Sequence, residues 1–86
     1  MQRIPSPAAV LLVDDHAIIR RGLREIIGHR FPEAAISEAA SCREILPAMA
    51  RCKADLVLLD LQLSDGNAID EVRSISEAFP HARILV

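Results

Sequence analysis

The sequence predicts an α/β fold, an open sheet of parallel strands with helices on both faces. Short, continuously apolar runs alternate along the chain with longer segments whose apolar residues recur at helical spacing. Runs that are apolar throughout suit strands buried on both faces, and parallel strands need helical crossovers between them. With 86 residues, 51% of them hydrophobic and 26% charged, the chain fits one small globular domain.

The first predicted elements are a strand over residues 8–13, AAVLLV, and a helix over residues 17–27. The apolar positions of this helix, which should face the sheet, are Ile18, Ile19, Leu23, Ile26 and Ile27. Its charged positions, which should face water, are Arg20, Arg21, Arg24 and Glu25. Gly28 and the pair Phe31-Pro32 should end it, and a second strand should follow over residues 34–40.

The rest of the chain repeats this order. Ser41, followed three residues later by Glu44, matches a capping box for a helix that continues to Arg51. Pro47 should either kink that helix or delay its start. The remaining predicted elements are a strand at 54–59, a loop at 61–67, a helix at 68–79 and a strand at 82–86.

Charge and composition exclude several classes of function. The formal net charge is -2, and Lys and Arg form no run, so the electrostatic footprint of a nucleic-acid-binding protein is missing. Cys42 and Cys52 have neither the spacing of a zinc site nor the density of a disulfide scaffold. No apolar run approaches the roughly 18 residues of a membrane span. We therefore expect a soluble, cytoplasmic protein without membrane contact.

Two of the predicted strands end on acidic residues. Asp14 and Asp15 follow the first strand, and Asp60 follows the third. Ligands of doubly wound sheets bind outside the carboxyl ends of strands, so these carboxylates converge if the two strands are neighbours. Three anions that close repel one another, and a cation such as Mg²⁺, which takes hard oxygen ligands, would hold them together. Asp60, alone at its strand end, is the predicted nucleophile toward phosphorus.

Two segments, VLLVDDHAIIRRGLREII and DLVLLDLQLSDG, resemble the receiver domain of bacterial two-component response regulators over nearly the whole chain. The resemblance implies a flavodoxin-like receiver fold, strand order 2-1-3-4-5, in which Asp60 accepts a phosphoryl group from a sensor histidine kinase. It also implies a Mg²⁺ site formed by Asp60, by Asp15 directly, by Asp14 mainly through water and by the main-chain carbonyl of Gln62. The DDH and RRGL motifs are most similar to the subfamily that carries a C-terminal helix-turn-helix, so DNA would be bound only through an output domain absent here.

Some features depart from the family pattern. Ser64 stands where Pro is usual and Ala68 where Gly is frequent, so the loop after Asp60 should be less rigid. A receiver also has a fifth strand, with a Thr or Ser after the fourth strand and a Lys after the fifth, and this sequence ends at Val86 before them. We expect an arm at residues 1–7 and a receiver at 8–86 that lacks the last strand and helices. Without that hydroxyl and that Lys we expect weak or no activation, and the exposed last strand should favour self-association.

Two other functions fit parts of the pattern. The first is a protein interaction domain of receiver architecture that is not phosphorylated. The second is a Mg²⁺-dependent phosphatase of the haloacid dehalogenase type, although Gln62 stands where that family needs a second Asp. In the favoured interpretation the protein is not an enzyme, but a phosphoacceptor that can catalyse its own phosphorylation and dephosphorylation. We expect no chemistry from His16, His29 and His81, and only a turn at Asp65 and Gly66.

Overall fold

The structure, a computed structural model, describes residues 6–86, which form strands and helices in strict alternation. The elements are β1 (Ala9–Val13), α1 (Ala17–Arg30), β2 (Ala35–Ala39), α2 (Cys42–Cys52), β3 (Leu56–Leu59), α3 (Ala68–Ala78) and β4 (Arg83–Leu85). The predicted order of elements is confirmed. The arm was predicted at residues 1–7, and residues 1–5 of it lie outside the described residues. The domain limits 8–86 stay a prediction.

All four strands pair in parallel in the order β2-β1-β3-β4. This confirms the predicted open α/β sheet and the first four positions of the 2-1-3-4-5 order. The chain moves from β1 outward to β2 and then returns to the other side of β1 as β3. The strand order therefore reverses at the border of β1 and β3, where the register pairs Val13 with Leu59.

The main core lies on the face of the sheet that α2 and α3 cover. Alternate residues of a strand point to opposite faces, so Leu11 and Val13 of β1 join this core together with Val57 and Leu59 of β3. Ile45 and Met49 of α2 and Ile75 of α3 are fully buried against them. Val10 and Leu12 of β1 are also fully buried but lie outside this cluster, as expected for the opposite face.

Helix α1 is packed differently from the prediction. None of its residues is buried, and Ile18, Ile19 and Ile26 are exposed to 84%, 49% and 65%. The prediction that these three face the sheet is wrong. With 3.6 residues per turn, Arg20, Leu23 and Ile27 share one side of the helix, and these three, together with Gly28, are its partly covered residues. The apolar pattern was thus wider than the surface that the sheet offers.

Helix ends follow local chemistry. Helix α1 continues through Gly28 to Arg30, so the predicted end at Gly28 is wrong. It stops where Pro32 disfavours helical geometry in the preceding residue, and Phe31 has φ -132° and ψ 76°. Helix α2 begins directly after Ser41 with Pro47 inside it, which rules out a delayed start.

The described helices also bear on membrane contact. Within residues 6–86, none has both the length and the apolar character needed to cross a bilayer. The longest of them, α1, has 14 residues, whereas a span needs about 20. The expectation of a cytoplasmic location stays a prediction.

Candidate functional site

The ends of β1 and β3 place three acidic residues at one edge of the sheet. The backbone N–H of Asp60 donates to the carbonyl of Val13 at 2.9 Å, and that of Asp14 donates to the carbonyl of Ala39 at 3.1 Å. These hydrogen bonds extend the parallel ladders just beyond the strands. One carboxylate oxygen each from Asp14, Asp15 and Asp60 and one ring nitrogen of His16 all lie within 4.8 Å of one another. The structure therefore brings the three predicted acids together, at the point where the strand order reverses.

The three acids differ in their exposure and hydrogen bonding. Asp14 is buried, with 8% of its surface exposed, whereas Asp60 is partly covered and Asp15 is exposed. The Oδ1 atom of Asp14 accepts a hydrogen bond of 2.8 Å from the backbone N–H of His16. The Oδ1 atom of Asp60 accepts one of 3.0 Å from the backbone N–H of Gln62. A buried carboxylate needs such donors, and each of these bonds also fixes the turn that follows its strand.

His16 is a neighbour of these acids that the sequence analysis missed. Its Nδ1 atom lies 2.8 Å from Oδ1 of Asp14 and 2.9 Å from Oδ1 of Asp15. The pKa of His16 is raised, first by the hydrogen bond to Asp14 and then by the charge of Asp15. The three histidines do not cluster with one another in the sequence, but the DDH motif places His16 two residues after Asp14, at the N-cap of α1.

The donor set fits a hard divalent cation. Mg²⁺ prefers carboxylate and carbonyl oxygens, keeps several waters and is usually held by one or two carboxylates. Three carboxylates from two strands satisfy that preference, and Asp15 and Asp60 remain accessible. A cleft of about 370 Å³ borders Asp14 and Asp60, so a ligand can approach. The ligand roles of Asp14, Asp15, Asp60 and the Gln62 carbonyl stay predictions.

The loop after Asp60 is more than the simple turn expected at Asp65 and Gly66. The Asp65 carboxylate accepts hydrogen bonds from the backbone N–H groups of Cys42 at 2.8 Å and Arg43 at 3.2 Å. It thereby caps α2, since the first N–H groups of a helix have no partner within it. The pKa of Asp65 is lowered chiefly by the Cys42 N–H. A Cβ atom at Gly66 would lie 2.7 Å from Sγ of Cys42, so the loop also packs tightly.

This arrangement replaces the predicted capping box. Ser41 is the N-cap residue of α2, as predicted, but its side chain caps no backbone N–H. Its hydroxyl instead donates to Oε2 of Glu44 at 3.0 Å. The capping carboxylate comes from Asp65, which is 23 residues beyond Cys42 in the sequence, and a local motif cannot reveal a partner at that separation.

Arg20 does not lie on the solvent-exposed face of α1, contrary to the prediction. Its side chain is 16% exposed, and its Nε–H donates to Oε1 of Glu38 on β2 at 2.8 Å. Its guanidinium also donates to the main-chain carbonyl of Asp14. Arg24 donates to Oε2 of Glu38 at 2.9 Å. The pKa of Glu38 is lowered by the hydrogen bond from Arg20 and then by the one from Arg24.

Comparison with known proteins identifies relatives of the whole folded region. A family model described as the response regulator receiver domain matches residues 10–86. The DNA-binding transcriptional activator DevR/DosR of Mycobacterium tuberculosis is 35% identical, over 90% of this chain and 36% of its own length. The chemotaxis protein CheY of Thermotoga maritima is 36% identical, over 90% of this chain and 63% of its own.

A solved structure extends the likeness to three dimensions. The two-component response regulator of the LuxR family from Aurantimonas sp. SI85-9A1 has 34% identity and a TM-score of 0.81, over 93% of this chain and 56% of that chain. The chain thus spans about a third of the length of DevR/DosR and less than two thirds of the other two. The family match over residues 10–86 includes the ends of β1 and β3 and the acidic residues that follow them.

Proposed function

Because the chain belongs to the response regulator receiver domain family, we propose that it is a phosphoacceptor that receives a phosphoryl group on Asp60 from a sensor histidine kinase. Domains of this family are signalling modules of two-component systems and not ordinary enzymes. The single observation that supports the phosphoacceptor role best is the convergence of Asp14, Asp15 and Asp60 within 4.8 Å. A cation held there by the three carboxylates would lie next to Asp60, the residue that accepts the phosphoryl group.

The metal is proposed to be Mg²⁺, held by Asp14, Asp15 and Asp60 together with the main-chain carbonyl of Gln62. Bound there, Mg²⁺ would neutralise charge on the transferring phosphoryl oxygens. Asp14 would contribute from a buried position and Asp15 from an exposed one. His16 offers nitrogen, which Mg²⁺ accepts less readily than oxygen, so it is not assigned as a ligand.

The proposed chemistry at Asp60 is an attack on phosphorus by one carboxylate oxygen. The Gln62 N–H holds Oδ1 of Asp60, and we assign the attack to Oδ2. The new bond joins Oδ2 to phosphorus in an acyl phosphate. The bond between phosphorus and the kinase histidine nitrogen breaks, and its electron pair stays on that nitrogen. The same pocket, open to water, would allow hydrolysis of the acyl phosphate and so self-catalysed dephosphorylation.

The proposed partners are the kinase, a second copy of the chain and, through an output segment, DNA. DevR/DosR is described as a DNA-binding transcriptional activator, and we propose that this receiver likewise controls a DNA-binding output segment of a longer protein. Among the described strands, β4 pairs only with β3. Its open edge is the proposed surface of self-association.

Phosphorylation by a small donor tests the proposed function. The protein is incubated with acetyl phosphate, with Mg²⁺ or with EDTA, and its intact mass is measured. We expect the mass of one phosphoryl group to be added only with Mg²⁺, in the wild type and in Asp70→Asn, but not in Asp60→Asn. Asp70 is the matched control because it is an exposed acid in the first turn of α3.

Two results would overturn the proposal. An equal mass gain in Asp60→Asn would place the phosphoryl group elsewhere. No gain in the folded wild-type protein would reject the phosphoacceptor role and favour an interaction domain of receiver architecture.

A further inference from the structure

Arg20 joins three parts of the molecule at the acidic edge of the sheet. It belongs to the RRGL segment of α1, and its guanidinium donates to the main-chain carbonyl of Asp14, where β1 ends. Its Nε–H donates at 2.8 Å to Glu38 on β2. Its side chain is largely sheltered from water, so these hydrogen bonds are little weakened by competing water.

Glu38 is itself fixed in position. Its second oxygen accepts a hydrogen bond of 2.9 Å from Arg24, and Arg24 also donates to the carbonyl of Ile36 at 3.1 Å. The register of β1 and β2 places Glu38 opposite Leu12, two residues before Asp14. Because the guanidinium is a rigid planar fork, anchoring one of its branches on Glu38 sets the direction of the branch that reaches Asp14.

The carbonyl that Arg20 holds belongs to the peptide unit between Asp14 and Asp15. A peptide unit is planar, so a hydrogen bond to its carbonyl oxygen fixes the orientation of the plane that joins these two residues. The Asp14 and Asp15 side chains start from the two ends of this plane. Their carboxylates are two of the three that the proposed function assigns to the cation, the third being that of Asp60.

We propose that Arg20 is a positioning residue, which holds the Asp14–Asp15 peptide so that both carboxylates face the same divalent cation. In this role it touches neither the cation nor the phosphoryl group. The inference rests on the proposed function, since it concerns how well that site binds its metal. Arg24 shares the helix, the residue type and the Glu38 partner, but within residues 6–86 its hydrogen bonds reach only Glu38 and Ile36.

A positioning role and a purely electrostatic role predict opposite effects of removing Arg20. A positive charge next to a cation site repels the cation, so electrostatics alone predicts tighter Mg²⁺ binding in Arg20→Met. Loss of positioning predicts weaker binding, on the order of tenfold, as is typical when a partner that orients a metal ligand is removed. A loss of general stability predicts equal effects for Arg20→Met and Arg24→Met.

Isothermal titration with Mg²⁺ alone, on the wild type and both variants, separates these roles. We expect Arg20→Met to weaken Mg²⁺ binding about tenfold and Arg24→Met to bind like the wild type. Thermal unfolding should show that both variants are destabilised. Arg20→Lys keeps the positive charge but not the planar fork of the guanidinium, so it should show an intermediate loss of Mg²⁺ affinity. If Arg20→Met fails to fold, the Mg²⁺ affinity of Arg20→Lys decides whether Arg20 has the positioning role. In phosphorylation by acetyl phosphate, Arg20→Met should need more Mg²⁺ for its half-maximal rate and keep its maximal rate.

The outcomes that contradict the inference are distinct from those that contradict the proposed function. Equal or tighter Mg²⁺ binding in Arg20→Met, or an equal loss in Arg24→Met, would overturn the positioning role while leaving the metal site intact. A wild-type protein that binds no Mg²⁺ would reject the metal site first, and with it the need for positioning.

Discussion

The Asp65 carboxylate accepts a hydrogen bond of 2.8 Å from the backbone N–H of Cys42, the first residue of α2. Asp65 lies in the loop that leaves Asp60, so this bond connects the candidate phosphorylation site to the start of a helix on the main core. Gly66, the next residue, lies directly against the Cys42 side chain. Two adjacent loop residues, Asp65 and Gly66, are therefore held against the start of α2, although Ser64 stands where the family pattern has Pro.

Substitution of Gly66 tests how tightly this loop is packed. A Cβ atom in Gly66→Ala would lie 2.7 Å from Sγ and 3.1 Å from Cβ of Cys42, so we expect a loss of about 1–3 kcal/mol in the free energy of unfolding. Because Cys42→Ala removes the closer atom, the double variant should lose less than the sum of the two single variants. Urea unfolding of all four proteins measures this coupling, and strictly additive losses would show that the loop moves away freely.

The Cys42 thiol should be unusually inert. Burial, followed by the charges of Glu71 and Asp65, raises its pKa to about 11 from an ordinary value of 9.0. At pH 8 the thiolate fraction is then on the order of 100-fold lower than that of an ordinary thiol. Iodoacetamide labelling, followed by peptide mass spectrometry, should modify Cys42 about 100-fold more slowly in the folded protein than in guanidinium. Equal rates in the two states would contradict the packing of Gly66 on Cys42.

The network of Arg20, Arg24 and Glu38 should make stability depend on pH. The pKa of Glu38 is lowered from 4.5 by its two arginine partners, so the folded state favours the ionised carboxylate. This contribution is fully present above pH 4.5 and is lost as the pH falls through the lower pKa of the folded state. In urea unfolding, the wild type should therefore lose stability more steeply than Glu38→Gln as the pH falls below 4.5. Parallel curves would show that the ion pairs do not contribute.

The open edge of β4 should make the chain self-associate. Leu85 and Val86 are exposed to 56% and 72%, and exposed apolar strand edges favour pairing with another chain. Sedimentation velocity should show an average mass that rises with concentration, and Leu85→Lys should reduce the rise because an edge lysine opposes pairing. A wild-type protein that stays monomeric at every concentration would contradict the proposed association.

The sheet and the convergence of the acids could be predicted because both depend on strong local signals. Residues 8–13 and 54–59 are apolar throughout and end on Asp14 and Asp60, and parallel strands bring their carboxyl ends to one edge. The connections around this edge could not be predicted. Arg20 and Glu38, which form a hydrogen bond, are 18 residues apart in the sequence, and Asp65 and Cys42 are 23 residues apart. Such pairs follow from tertiary packing, which no local pattern of charge or capping encodes.

Helix α1 shows why amphipathic patterns overstate burial. Its five apolar positions form a broad stripe, but only Leu23 and Ile27 are partly covered, beside Arg20. The side of the helix that faces the sheet is the one that carries Arg20, whose hydrogen bonds reach Asp14 and Glu38. An arginine that is counted as an outward residue therefore escapes notice, although its guanidinium reaches the main-chain carbonyl between the two acids.

A magnesium titration followed through backbone amide resonances tests most directly whether the acids of β1 and β3 form one cation site. We predict that the amides of residues 14, 15 and 60–62 shift together with a single dissociation constant, and that Asp60→Asn weakens the response at residues 14 and 15 as well. The account would be contradicted if the amides at the end of β1 responded without those at the end of β3, or if neither group responded.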